Sequence, residues 1–524
     1  MQNKINIKNS FVNKLPGDAD LSNKPRQVYN SCFSYVNPKK PKKPELVLYS
    51  KETGEIIGLN ENDCRSKDFL EIFSGKKNLK NAKPFAMNYG GHQFGSWAGQ
   101  LGDGRAINIG EINSNNQKYF LQLKGAGPTP YSRSGDGYAV LRSSVREFLC
   151  SEAMHYLGIP TTRALSLVLT GSSVLRDMLY DGNPKYEPGA IVTRVSSTFI
   201  RFGSFEIFAA RQEYEILKQL ADYTIENDFP DIKSSGKEKY LEFFSRVLNL
   251  TADLIVNWMR VGFVHGVMNT DNMSVNGLTI DYGPYGWLEV YDPGWTPNTT
   301  DAQFKRYAFG NQPEIAFWNL SMFANALYPL INEAKPLELE LNKFQSLFNS
   351  KYLEMMSSKL GIDDFKKNET KNLINELNKV LTIVETDMTI FFRKLSDLDP
   401  WKDSEMNFQI LKEAFYNISE FTIDKKKIFL SWIEKYLEIL KKENKPPHIR
   451  KKEMDVVNPF YVLRNYLAHE SAQRAEKGEY NYLNDLFNTL KRPYKEQPGK
   501  EKFAEKMPEW ARHKPGCSML SCSS

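Results

Sequence analysis

Apolar residues recur at helical spacing over residues 140–157, where Leu141, Val145, Phe148, Leu149, Met154 and Leu157 line one face. Gly158-Ile-Pro160 supplies the stop. Upstream the period is two. Residues 105–112 and 118–124 read as strands joined by Asn-Ser-Asn-Asn-Gln, with Leu121 and Leu123 on one face and Phe120, Gln122 and Lys124 on the other. Residues 190–195 continue the strand pattern, followed by an extended segment at 198–201. Residues 243–259 form a strongly apolar helix that ends at Gly262 and feeds Phe263-Val264 into a loop at His265. Two short alternating runs between 273 and 280 flank Asn276-Gly277, which predicts a hairpin with a type I′ turn. Residues 303–490 read as amphipathic helices with Lys-rich connectors. The longest uncharged stretch in that half, 315–332, carries Asn319, Ser321, Asn325 and Pro329, which suits a buried helix rather than a membrane span.

Composition adds exclusions. The 524 residues are 41% hydrophobic and 25% charged, an ordinary globular balance. The formal charge of +6 is spread thinly through the helical regions, without the dense basic patch of a nucleic-acid surface. Cys32, Cys64 and Cys150 are isolated, so no disulfide-stapled scaffold is expected. The N-terminus has no apolar signal region, but acidic residues are absent before Asp18, as in a transit peptide. Repeated Pro and Lys over 37–45 read as an extended connector.

The predicted hairpin organises the chemistry. Its ends carry Asp271-Asn272 and Asp281, so two carboxylates and an amide oxygen converge, hard ligands suited to Mg²⁺ and substrate phosphates. Asp292 begins a second Asp-x-Gly and is the lesser metal candidate, more suited to structuring its loop. Protein kinases place a His, an Asn and an Asp-Phe-Gly in this order, and here His265, Asn272 and Asp281-Tyr282-Gly283 match. Val267 stands where kinases keep their base, and valine cannot accept a proton. Asp271, beside the Asn, is the candidate base. Lys124 closes its strand as the kinase strand lysine does, and Glu147 lies mid-helix where its partner is expected, with Glu152 as rival. Gly102, Gly104 and Arg105 offer close backbone approach and a planar cation for phosphate, and Asp136 and Gly137 belong to a glycine- and hydroxyl-rich loop. His92 has no second His nearby and reads as a hydrogen-bonded structural residue.

The stretch HGVMNTDNMSVNGLTIDYGP, with YGGHQFG and QLGDGRA upstream, closely resembles the selenoprotein O family. The resemblance runs from about Phe11 to the C-terminus and is weakest at 335–450. It implies an α/β (α+β) chain with a two-lobed protein-kinase-like pseudokinase fold and an enlarged, mostly helical C-terminal lobe. The expected parts are an N-terminal extension over 1–80, an N-lobe over 81–205, a helical C-lobe over 206–490 and a tail over 491–524. It implies AMP transfer from ATP to Ser, Thr or Tyr hydroxyls of proteins, with Mg²⁺ (or Mn²⁺) held by Asn272 and Asp281. By the same resemblance Gly102, Gly104, Arg105, Lys124, Asp136, Gly137, Arg194, Arg201 and Asp281 contact nucleotide, and the two later arginines hold the distal phosphates of an ATP bound in flipped orientation. A phosphate-transferring kinase and a non-catalytic nucleotide-binding scaffold are the alternatives. Because residues 11–18 resemble the start of the family domain, a cytoplasmic monomer is expected ahead of a mitochondrial one, with no nucleic-acid or membrane partner. Many animal relatives carry selenocysteine third from the end, where Cys522 stands here, and Cys517 and Cys522 are the redox candidates.

Overall fold

A computed structural model describes residues 1–521. The chain is mixed α/β, with a sheet-rich first part and a helical C-terminal region. The main sheet runs Phe33–Tyr35, Phe85–Met87, Ala106–Ser114, Gln117–Lys124, Lys185–Ser196, Arg163–Arg176 and Glu45–Tyr49, antiparallel throughout. Asn115 and Asn116 both have positive φ (49° and 60°), so the connection of Ala106–Ser114 to Gln117–Lys124 is a two-residue type I′ turn, shorter than the sequence suggested.

Strand alternation divides the core as expected. Leu121 and Leu123 join a cluster with Phe69, Ile72 and Phe73 on one face of the sheet. Phe120 faces the other way, into the larger cluster that holds Val145, Phe148 and Leu149. These three belong to the helix Leu141–Tyr156, which therefore lies over the face that carries Gln122 and Lys124. Register aligns Lys124 with Val192 and Gln122 with Arg194 on the neighbouring strand.

The apolar helix is longer than its sequence core and spans Gly236–Val261. Gly262 ends it at φ 76°. Phe263–Val264 then pairs with Gly286–Trp287, and this short ladder brackets the loop between them. Trp258 stacks on His265 with ring centroids 5.3 Å apart and donates through Nε1 to Thr279 at 2.9 Å, while His265 Nε2 meets the Ile280 carbonyl at 2.9 Å. The buried face of this helix thus sets the loop's base.

The hairpin predicted over 273–280 does not form. Ser274 bridges Arg201 and Thr279 bridges Thr161, so its two sides pair with different segments rather than with each other. The turn closes through Gly277 N–H to the Ser274 carbonyl at 3.2 Å, and only Gly277 has positive φ. A type I′ turn needs two such residues. The segment at 198–201 forms no named strand; Arg201 bridges Ser274, the Ile200 carbonyl accepts from Val275 N–H at 3.3 Å, and Phe199 packs on Phe120 of the sheet. Residues 335–450, weakest in the family resemblance, are mostly helices, among them Lys343–Leu360, Asn368–Val380 and Ile423–Glu443.

Candidate active site

A cavity of about 770 Å³ opens between the sheet and the 267–284 loop. Gly102, Gly104, Arg105, Lys124, Asp136, Gly137, Arg194, Asp271, Asn272 and Asp281 all line it. Arg201 stands behind this lining, buried, and reaches it through Asp281.

The polar floor is one connected network. Lys124 Nζ lies 2.5 Å from Glu147 Oε2, and Arg194 Nε bonds the other oxygen of the same carboxylate. Arg194 Nη1 continues to Asp281 Oδ1 at 2.9 Å, and Arg201 Nη1 holds Asp281 Oδ2 and the Asp271 carbonyl, the latter at 2.9 Å. Tyr89 supports Arg201 from its ring face at 4.3 Å. Glu147, not Glu152, is therefore the partner of the strand lysine. Glu152 binds Arg163 through two hydrogen bonds of 2.7 and 2.8 Å, and Ser50.

Electrostatics separates the two aspartates of the loop. Burial would raise Asp281, but Arg201, Arg194 and Lys124 hold it well below the usual carboxylate range. Burial pushes Asp271 up to about 7, against the pull of Arg201. Its Oδ1 is buried without a hydrogen-bond partner, and its Oδ2 receives only a long bond of 3.4 Å from Gln93. Burial lowers Lys124 to about 8, while Glu147, though buried, is held down by Arg194 and Lys124. Asp281 has φ 56°, a left-handed conformation that Asp tolerates better than most residues.

Close packing fixes Asp271. A Cβ on Gly91 would stand 2.9 Å from Asp271 Cβ and 3.0 Å from its Oδ1, so the Gly90–Gln93 strand approaches only because position 91 lacks a side chain. Gly102, at φ 73°, lies against the Tyr131 ring, and a Cβ there would come within 2.3 Å of it.

Other predictions resolve individually. Asn272 donates through Nδ2 to the Val267 carbonyl at 2.9 Å, which fixes the amide's orientation and leaves its oxygen as the atom that could ligate a cation. Asp136 is exposed and clasped by Arg176 through two bonds of 2.7 Å, so its carboxylate is already engaged at the cavity rim. Arg105 makes no ion pair among the described residues. His92 pairs with Glu206 at 2.6 Å and is structural, as expected. Asp292 accepts from Gly294 N–H at 2.8 Å and shapes its own loop.

Sequence reasoning missed Asp103, Arg133 and Arg176 in the lining. Asp103 sat within a Gly-Asp-Gly that reads as a turn. It is buried, accepts from Met87 N–H at 3.0 Å, and burial pushes it up to about 6. Arg176 carries no local signal.

At the C-terminus, Leu520 bonds the Pro297 carbonyl and Thr299 N–H, so the tail up to residue 521 is docked rather than loose. Cys517 is buried, and burial pushes its thiol up to about 12, the reverse of what a reactive thiol needs. Cys522 lies outside the described residues. Among the described residues no helix is long and apolar enough to cross a membrane.

Known proteins resemble the chain along nearly its whole length. The family description "Protein adenylyltransferase SelO" matches residues 19–491. A "Protein nucleotidyltransferase YdiU" of Flavobacterium johnsoniae is 54% identical over 521 residues, covering 99% of each chain. Proteins of the same name from Aromatoleum aromaticum and Rhodopirellula baltica are each 51% identical, again over 99% of each chain. The chain belongs to the SelO family of protein adenylyltransferases.

Proposed function

We propose that this adenylyltransferase binds ATP with its phosphates over the Lys124–Arg194–Arg201 network and uses Asp271 as the base toward a Ser, Thr or Tyr hydroxyl. The carrying observation is the convergence of two arginines on Asp281 beside a buried Asp271 whose Oδ1 has no hydrogen-bond partner. The hydroxyl oxygen attacks the α-phosphorus, its proton passes to Asp271, the α–β phosphoanhydride bond breaks and pyrophosphate leaves. Arg105, Lys124, Arg194 and Arg201 offset the charge of the triphosphate, and backbone at Gly102, Gly104 and Gly137 admits it closely. Asp136, engaged by Arg176, closes the rim.

Asn272 and Asp281 fit a divalent cation, because Asn272 presents its amide oxygen once its nitrogen is committed and Asp281 remains ionised. Mg²⁺, or Mn²⁺, would supply Lewis-acid neutralisation of the phosphates there. The Lys124–Glu147 pair and the order His265, Asn272, Asp281 support a two-lobed protein-kinase-like arrangement with lobes at 81–205 and 206–490. Val267, apolar and buried at the kinase base position, speaks against ordinary γ-phosphoryl transfer.

The test is Asp281→Ala assayed for pyrophosphate release. Loss of at least ~10³-fold in turnover with the fold intact is expected, in line with removal of transition-state charge stabilisation. Activity within threefold of the parent would refute the assignment of Asp281.

A further inference from the structure

Beside the nucleotide cavity stands a small sheet with an open edge. Gly90–Gln93 and Ser96–Gln100 pair antiparallel and, among the described residues, join no other strand. Phe94 and Gly95 have φ 51° and 86°, a type I′ turn closed by Gln93 and Ser96. The next pair, His92 and Trp97, therefore turns its N–H and C=O groups outward, away from one another. His92 N–H is taken by the Thr270 hydroxyl at 2.8 Å. On the opposite side, among the described residues, the Trp97 backbone bonds no segment beyond the hairpin. Ser96, Trp97 and Ala98 are exposed, and a Cβ added at Gly99 would meet no atom within 4 Å. Residues 96–99 include no charge and no Pro, two usual guards of a free edge. The ladder slips between Trp97 and Gln100, which keeps the free run short and centred on Trp97.

The two faces of this hairpin differ. Gly91 packs on Asp271 and Gln93 reaches its carboxylate, so alternation puts Ser96, the partner of Gln93, on the face toward the base. His92 and Trp97 lie on the other face with ring centroids 5.1 Å apart, and Trp318 is 5.5 Å from His92. Trp318 also carries Arg306, whose guanidinium sits 4.7 Å over its ring and would lie 3.5 Å from a Cβ on Gly95, at the hairpin tip. Arg306 makes no ion pair among the described residues. Carboxylates on this side are already engaged: Asp301 accepts from the N–H groups of Arg306 and Tyr307, and Glu206 is held by His92. Arg306 Nε and Nη2 are buried without partners, which leaves Nη1 as the corner open to solvent. A half-buried cation of this kind is completed by a carboxylate from outside.

A protein adenylyltransferase must bring a polypeptide hydroxyl to its base. We propose that the protein substrate docks as an extended segment that adds a third strand along Trp97 and gives an acidic side chain to Arg306; the placing of its hydroxyl rests on Asp271 being the base. Main-chain bonds to Trp97 hold the segment whatever its sequence, and the carboxylate selects among segments. The hydroxyl residue projects from the Ser96 face and the acidic residue from the Trp97 face, so an odd number of positions separates them.

Fluorescence anisotropy of a labelled short peptide tests this. In the peptide Ser alternates with Val, and one central Val is replaced by Glu. It is titrated with the full chain without ATP or Mg²⁺, so no turnover is needed and failure of the docking claim stands apart from failure of the catalytic one. Saturable binding is expected, and the same peptide with Lys for Glu should bind about tenfold more weakly. In Arg306→Gln the two peptides should bind alike, with ATP affinity at the parent value. N-methylation of single peptide residues should abolish binding at alternate positions only, because only alternate N–H groups face Trp97. Should Arg306→Gln misfold, the N-methyl series on the parent chain decides alone. No saturable binding, N-methyl effects without that alternation, or a Glu preference that survives Arg306→Gln overturns the proposal.

Discussion

Glu147→Gln perturbs the site at one atom and should have two separable effects. Glu147 is buried and its two oxygens hold Lys124 and Arg194. The amide keeps the shape but not the charge, and its nitrogen faces a cation. Removing one partner of a buried pair costs about 3–5 kcal/mol. For a chain of 524 residues the unfolding entropy is roughly 1 kcal/mol per degree, so a cooperative melt should fall by only ~3–5 °C. Catalysis should suffer more, by about 10²-fold in kcat/KM, because Lys124 and Arg194 lose the group that aims them at the phosphates. Glu152→Gln is the matched control. It lies on the same helix and is equally buried, but its partner Arg163 stands outside the nucleotide cavity, whereas Glu147 holds Lys124 and Arg194 in the lining. It should lower the melting midpoint similarly and leave kcat/KM within threefold. The two substitutions are read by scanning fluorimetry and by pyrophosphate release. Equal loss of activity in both, or none in Glu147→Gln, would refute the reasoning.

Asp271→Asn should lower kcat by about 10²–10⁴-fold while ATP affinity, measured by titration, stays within threefold; a matching loss of affinity would make Asp271 a nucleotide ligand rather than the base. Gly91→Ala places a methyl 2.9 Å from Asp271 Cβ and should displace that carboxylate, cutting kcat by about 10²-fold with KM for ATP little changed; an unaltered kcat would show that the contact does not position Asp271. Glu289 is buried away from this site, and burial raises it to about 7. The protonated form that the fold favours is present in both states below the ordinary carboxylate pKa, and the stability it brings is lost as pH rises from about 4.5 to about 7. Glu289→Gln, which cannot ionise, should therefore gain up to about 3 kcal/mol relative to the parent on going from pH 5 to pH 8 in urea unfolding, and a pH-independent difference would contradict this.

Much of the site was legible where one periodicity governed a residue's direction. Alternation put Lys124 on the face that the Leu141–Tyr156 helix covers, but the choice of Glu147 over Glu152 came from the kinase order and the family resemblance, and the observed pairing settles it. The 273–280 segment failed because its runs are short. Ser274 and Thr279 gain more from Arg201 and Thr161, distant in sequence, than from each other, and Asn-Gly marked the turn without deciding the partners. Family resemblance supplied Arg194 and Arg201 as phosphate ligands, but no spacing announced that both meet Asp281. Asp103 and Arg176 were hidden for the same reason, since burial and long-range pairing set their roles.

The central claim is that the chain moves AMP rather than phosphate. Parallel reactions of the purified protein with a generic protein substrate, Mg²⁺ and ATP, labelled at either the α- or the γ-phosphate, test it most directly. The account predicts that label enters protein from the α position alone and that Asp281→Ala abolishes it. Label from the γ position alone would contradict the account and make the enzyme a kinase despite Val267.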